Sequence, residues 1–146
     1  MTKSAIEALN DVTKMLIDSL EGYRKSVEVA DEHHGHKAEF QQRADIRADL
    51  IADFQFRVRA LGGEAETEGG VLAALHRGTM DIMSLFRDDK EAALAAIDDG
   101  EEQLAEKIES ELENNDLDQE TRALLQKAHA SARNGERFAD RAQGDS

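Results

Sequence analysis

A glutamate and a histidine set into apolar helical stripes are the residues of this chain best placed to do chemistry. Glu101 stands four residues after Ile97, three before Leu104 and seven before Ile108, so it falls on the apolar stripe of its helix. A carboxylate taken into a core is costly unless it is paired, hydrogen-bonded or bound to a metal. Three fates compete for it: a salt bridge to an arginine or histidine, a place in water at the stripe's edge, or service as a metal ligand. His76 lies four residues after Leu72 and four before Met80. It is a hydrogen-bonded core group or a second ligand. Glu21 and Asp53 complete a candidate metal set of Glu21, Asp53, His76 and Glu101, with iron or manganese as the metal. Gly100, beside Glu101, lowers helix stability by about 1 kcal/mol relative to alanine. A neighbouring helix or bulky side chain packed against it would be one physical reason for it.

His33, His34 and His36, with Asp31 and Glu32, form a second group. Imidazole and carboxylate together suit zinc, nickel or copper. These residues occupy a turn, where adjacent histidines point apart, and adventitious binding is the simpler expectation. A di-iron carboxylate bundle needs a glutamate from each of two helices and Glu-x-x-His from each of the other two. The chain contains no Glu-x-x-His; Asp31-x-x-His34 is the near miss, and it lies at a helix end. The standard di-iron site is incomplete, and no catalytic or cofactor-binding residue is assigned. Cysteine is absent, and there is no Gly-x-Ser-x-Gly elbow, P-loop or dinucleotide fingerprint.

The elements that must position these residues are helices. The chain has no proline, which would cost about 3 kcal/mol in a helix interior. The first helix is predicted over about 4–31, opening with the capping box Ser4-x-x-Glu7. Its stripe is Leu9, Val12/Thr13, Leu16, Leu20, Tyr23, Val27 and Ala30. The second runs over about 37–61 with Phe40, Ala44, Arg47, Ile51, Phe54, Val58 and Leu61 on one stripe. A second face carries Ile46, Phe56 and Ala60, with Asp53 between them, which points to more than one helical neighbour or to an oligomer interface. Gly62-Gly63 supplies a left-handed C-cap, and Glu64 to Gly70 is a loop. A short apolar helix is expected over 71–86. A fourth, over about 89–114, opens with Asp88-x-x-Glu91, and a fifth, over about 117–142, opens with Asp116-x-x-Gln119.

Long, long, short, long, long is the plan of an all-α, ferritin-like four-helix bundle. Two helical hairpins are joined by a crossover that contains the short extra helix. The runner-up is an up-down bundle with an added helix. At 146 residues the expectation is one such bundle domain over 1–146. His76 and Gly78 would then mark the point where the crossover meets Gly100-Glu101.

The net charge is −14, and residues 88–120 hold fourteen acidic and two basic side chains. Such a surface repels phosphate backbones, so nucleic acid and anionic membranes are poor partners and a basic protein is a better one. The N-terminus lacks the apolar core of a signal peptide, and no stretch reaches the roughly 18 apolar residues of a membrane span. With no cysteine, a cytoplasmic setting is expected.

Gly22-Tyr23-Arg24, Leu61-Gly62-Gly63, and Leu75-His76-Arg77-Gly78-x-Met80-Asp81 followed by Gly100-Glu101-Glu102 resemble a bacterial family of ferritin-like four-helix-bundle proteins of uncharacterised function. The resemblance covers about Leu9 to Leu125 and implies a ferritin-like fold without an activity. Thr79 stands where that family usually has an aromatic residue, Ile108 where a tyrosine is common, and Asp98 and Asp53 where glutamate is usual. These changes shorten or remove polar reach in the core. The leading expectation is a non-catalytic acidic bundle, a homo-oligomer with a structural, stress-related or partner-binding role. The alternative is a metal-binding bundle, an iron or manganese oxidoreductase or store.

Overall fold

The computed structural model describes residues 2–29, 36–70 and 90–144. Among the described residues there are four α-helices and no strand: α1 (Thr2–Val29), α2 (Lys37–Ala60), α3 (Lys90–Leu112) and α4 (Gln119–Gly144). The short helix expected over 71–86, with His76 and Gly78, lies outside the described residues, as do His33, His34 and the cap expected at Asp88.

The predicted stripes supply most of the core; Leu50 and Ala139 join it from outside them, and Val27 and Leu61 are only half-buried. Leu9, Val12, Leu16, Leu20 and Tyr23 of α1 are buried against Phe40, Ala44, Leu50, Ile51, Phe54 and Val58 of α2. Leu94, Ile97, Leu104 and Ile108 of α3 meet Leu125, Ala128, Ala132, Phe138 and Ala139 of α4. Each large apolar side chain so buried contributes about 1.5–3 kcal/mol. The alanines of α4 let the helices approach closely. At one end of the bundle Phe40 and Phe138 meet edge to face at 5.4 Å, and the His36 ring packs against both.

α1 packs on α2 and α3 on α4; the two hairpins join through α1 with α3 and α2 with α4. Cross-helix contacts fix the directions. Ser4 reaches Asn114, and Lys107 comes to 3.8 Å from Asp11, so α1 and α3 are antiparallel. Arg57 pairs with Asp118 and Arg47 reaches Ser131, so α2 and α4 are antiparallel too. α2 and α3 therefore run parallel on a diagonal, so the end of α2 and the start of α3 lie at opposite ends of the bundle. The described residues that follow α2 pack along α1. Gly63 lies against Ile6, Asn10 holds Glu64 and Glu66, Glu66 sits 3.7 Å from Lys14, and Gly69 lies against Asp18.

α2 ends as the glycine pair predicts. Gly62 has φ +86°, its N–H donates to the Arg59 carbonyl, and the Gly63 N–H donates to Val58. This is a Schellman end. Three local expectations are corrected. Ser4 lies inside α1, which already spans Thr2, and its hydroxyl accepts from Asn114, so it is no N-cap. The cap of α4 is Asp118, two residues after the expected Asp116; it accepts from the Thr121 N–H at 3.1 Å and the Thr121 hydroxyl at 2.6 Å. Asp116 instead has its own N–H held by Asn114 Oδ1. Gly100 is exposed, with open space where a Cβ would stand, so among the described residues nothing packs against it.

Candidate functional site

All four helices send a polar group to one point in the middle of the bundle. Glu101 on α3 is 1 % exposed, as the stripe position requires. Arg47 on α2 is also 1 % exposed and meets it end-on. Nη1 donates to Oε1 and Nη2 to Oε2, both at 2.7 Å. The Tyr23 hydroxyl of α1 donates to Oε2 at 2.9 Å. Ser19 accepts from Nη1 at 2.6 Å and its own hydroxyl donates a hydrogen bond to the Leu16 carbonyl; Ser131 of α4 accepts from Nη2 at 3.3 Å. The guanidinium also lies over the Tyr23 ring, 5.6 Å from its centre. A bidentate, charge-assisted pair of this kind is the form in which two charges survive burial.

The electrostatics follow from the burial. Burial and the Glu101 carboxylate, in that order, push the Tyr23 hydroxyl well above its ordinary range, so it stays a proton donor. Burial alone would lower Arg47, but the charge and hydrogen bonds of Glu101 outweigh it and hold the guanidinium above its usual value. The one group left over is Arg47 Nε, buried with no acceptor among the described residues. Such an orphan costs about 1–3 kcal/mol.

Gly135 of α4 makes the arrangement fit. A Cβ there would collide with the Glu101 carboxylate and stand 2.6 Å from the Tyr23 hydroxyl. The close approach expected at Gly100 is found at Gly135.

Of the sequence candidates, the described residues include Glu21, Asp53 and Glu101. Glu21 is at the surface, paired at 3.0 Å with Arg24 of its own helix. Asp53 is at the surface too, 3.7 Å from Lys127. His76 lies outside the described residues. Among the described residues no group of three histidine, aspartate or glutamate side chains is placed to hold a metal. Glu101 gives both of its oxygens to Arg47 and Tyr23, so a cation entering there would have to displace a guanidinium. Of the open alternatives for Glu101, the salt bridge is the one observed.

Arg47 was legible as a partner, since it stands on the apolar stripe of α2, three residues after Ala44 and four before Ile51. A cation on one core stripe and an anion on another in the same bundle is a signal of pairing. Tyr23 had the same stripe position. Ser19 and Ser131 carry no such signal, because serine tolerates exposed and half-buried helix positions equally.

A family model described as a domain of unknown function (DUF2383) matches residues 4–114. The chain belongs to this family. The DUF2383 match takes in Tyr23, Arg47 and Glu101 and ends before α4, which supplies Ser131 and Gly135. No curated protein and no solved structure matches the chain.

Proposed function

We propose that this DUF2383 protein is a non-catalytic, ferritin-like bundle that acts by associating with a second copy of itself, in a structural or partner-binding role in the cytoplasm. The ferritin-like reading is supported by the topology of two hairpins with α2 and α3 parallel on the diagonal, which calls for a single crossover. Among the described residues no helix is long and apolar enough to cross a membrane.

The observation that carries association is Phe56, which is 73 % exposed on the outer face of α2. Ala52 and Ala60, also exposed, flank it one turn before and after. Small residues on either side of a large one let a second helix come close. Antiparallel pairing about a two-fold axis at Phe56 sets Ala52 level with Ala60 of the second copy, and Asp53 level with its Arg59. Such a face is self-complementary, as a two-fold interface requires. Burying the two Phe56 rings would contribute about 1.5–3 kcal/mol each.

Sedimentation equilibrium of the full chain tests this. Dimers are expected for the wild type and monomers for Phe56→Ser. Asp53→Arg should weaken the dimer, and Asp53→Arg with Arg59→Asp should restore it. A strict monomer at high concentration overturns the reading. The competing metal role is tested separately: stoichiometric iron, manganese or zinc in untagged protein would restore it.

A further inference from the structure

The groove between the outer edges of α2 and α4 is cationic in a chain with 32 acidic and 18 basic side chains. Its volume is about 240 Å³, and Gln42, Arg43, Ile46, Asn134, Arg137 and Arg141 line it. Three arginines and two amide side chains are among the residues that line it, and no carboxylate is. The cause lies in how the helices sort their charges. Glu136 of α4 turns to Arg133 at 2.7 Å, and Asp140 faces Asp98 of α3, so the acids at this end of α4 serve the α3 side. Asp45 of α2 is engaged by Gln41. Arg137 and Arg141 are left four residues apart on the α2 side, a spacing at which like charges repel.

Two of the three cations are nonetheless held in place. Arg137 donates to Asn134 Oδ1, and Arg43 lies over the Phe138 ring, 4.8 Å from its centre. Among the described residues the arginines in ion pairs are Arg24, Arg47, Arg57 and Arg133, and not these three.

We propose that this groove is a binding site for a phosphoryl group carried on a small organic body. A carboxylate brings one charge and two oxygens, too little for three guanidinium forks. A phosphoryl group brings nearly two charges and three terminal oxygens, each able to accept from an arginine fork. The groove has room beyond the phosphoryl group itself. Ile46, 44 % exposed, supplies an apolar wall for the body that carries it. The acidic surface of α3 lies on the other side of α4, and charge is screened over about 8 Å at physiological ionic strength, so the local cations decide.

Calorimetric titration with inorganic phosphate and with phenyl phosphate tests the site, with sodium chloride at matched ionic strength as control. Saturable binding of phosphate is expected, tighter for phenyl phosphate and absent for chloride. Arg137→Ala and Arg141→Ala should each weaken it about tenfold, and Arg141→Lys should recover only part, because it restores charge without the fork. Both side chains are exposed, and circular dichroism would verify that the variants fold. Phe56→Ser should leave phosphate binding unchanged, which separates this site from self-association. The proposal is overturned if phosphate acts no differently from chloride, or if binding survives both alanine substitutions. It is also overturned if those substitutions change the oligomeric state and leave phosphate binding intact.

Discussion

Removing one partner of the Arg47–Glu101 pair strands the other charge in the core. Arg47→Leu is therefore expected to lower stability by about 3–5 kcal/mol, seen as a fall in the urea midpoint. Replacing both groups at once, Arg47→Leu with Glu101→Leu, should recover most of that loss, because an apolar pair needs no partner. A double variant as unstable as the single one would contradict the pairing as the purpose of Glu101. The two glycines nearby should respond in opposite directions. Gly135→Ala drives a methyl into the Glu101 carboxylate and should cost about 1–3 kcal/mol. Gly100→Ala meets open space on a helix and should stabilise by about 0.5–1 kcal/mol. Thermal melts of both would read the difference directly. At this scale the sequence places Glu101 on the apolar stripe by periodicity, and the structure decides for burial over the stripe's edge. It does not show which glycine is crowded, because crowding depends on the neighbouring helix and not on the residues beside it.

At the level of elements, the four long helices and their inward faces follow from periodicity, and the end of α2 follows from Gly62-Gly63. The starts are less legible. Asp116 and Asp118 both stand three residues before a side chain that could complete a cap, Gln119 and Thr121, and either reading satisfies the local chemistry. Arg57 of α2 decides between them by pairing with Asp118 at 2.7 Å. Burial alone would raise the Asp118 carboxyl, but the Thr121 hydroxyl and N–H and the Arg57 guanidinium lower it from 3.8 to about 2. A depressed carboxylate adds stability above its unfolded value and loses it as pH falls toward the folded one. Asp118→Ala should therefore cost about 1 kcal/mol at neutral pH, with the difference from wild type shrinking between pH 3.8 and about 2. Urea titrations across that range would show it; a difference that persists undiminished at the acid end would argue against the cap.

Across the whole molecule, the acidic excess sets the pH behaviour. Asp98 of α3 and Asp140 of α4 face each other. Burial, the hydrogen bond with Asp140 and its charge, then Glu136 and Asp99, raise the Asp98 carboxyl from 3.8 to about 6. The folded state takes up a proton there before the unfolded chain does, so stability rises as pH falls from about 6 toward 3.8 and is lost on the way back up. Asp98→Asn should raise the melting temperature at neutral pH, and the gain should fade as pH falls from about 6 to 3.8. A gain independent of pH would locate the effect elsewhere. The excess of acid over base is visible in the sequence. Its division into an acidic α3 side and an arginine-lined α2 side of the same helix is not, because it depends on the rotation of α4 about its own axis.

The central ion pair also governs the order in which the chain assembles. Each hairpin is made of segments close in sequence, and local contacts of this kind form quickly. Arg47 and Glu101 belong to different hairpins and to the two helices that share the diagonal, so they meet only when the hairpins dock. Contacts made after the rate-limiting step act on unfolding and leave the folding rate nearly unchanged. The pair is then expected to work as a latch: Arg47→Leu should speed unfolding and leave the folding rate nearly unchanged, and stopped-flow folding and unfolding rates in urea would read that split. On that expectation, the lifetime of the closed bundle, more than its speed of formation, depends on this one arginine and one glutamate.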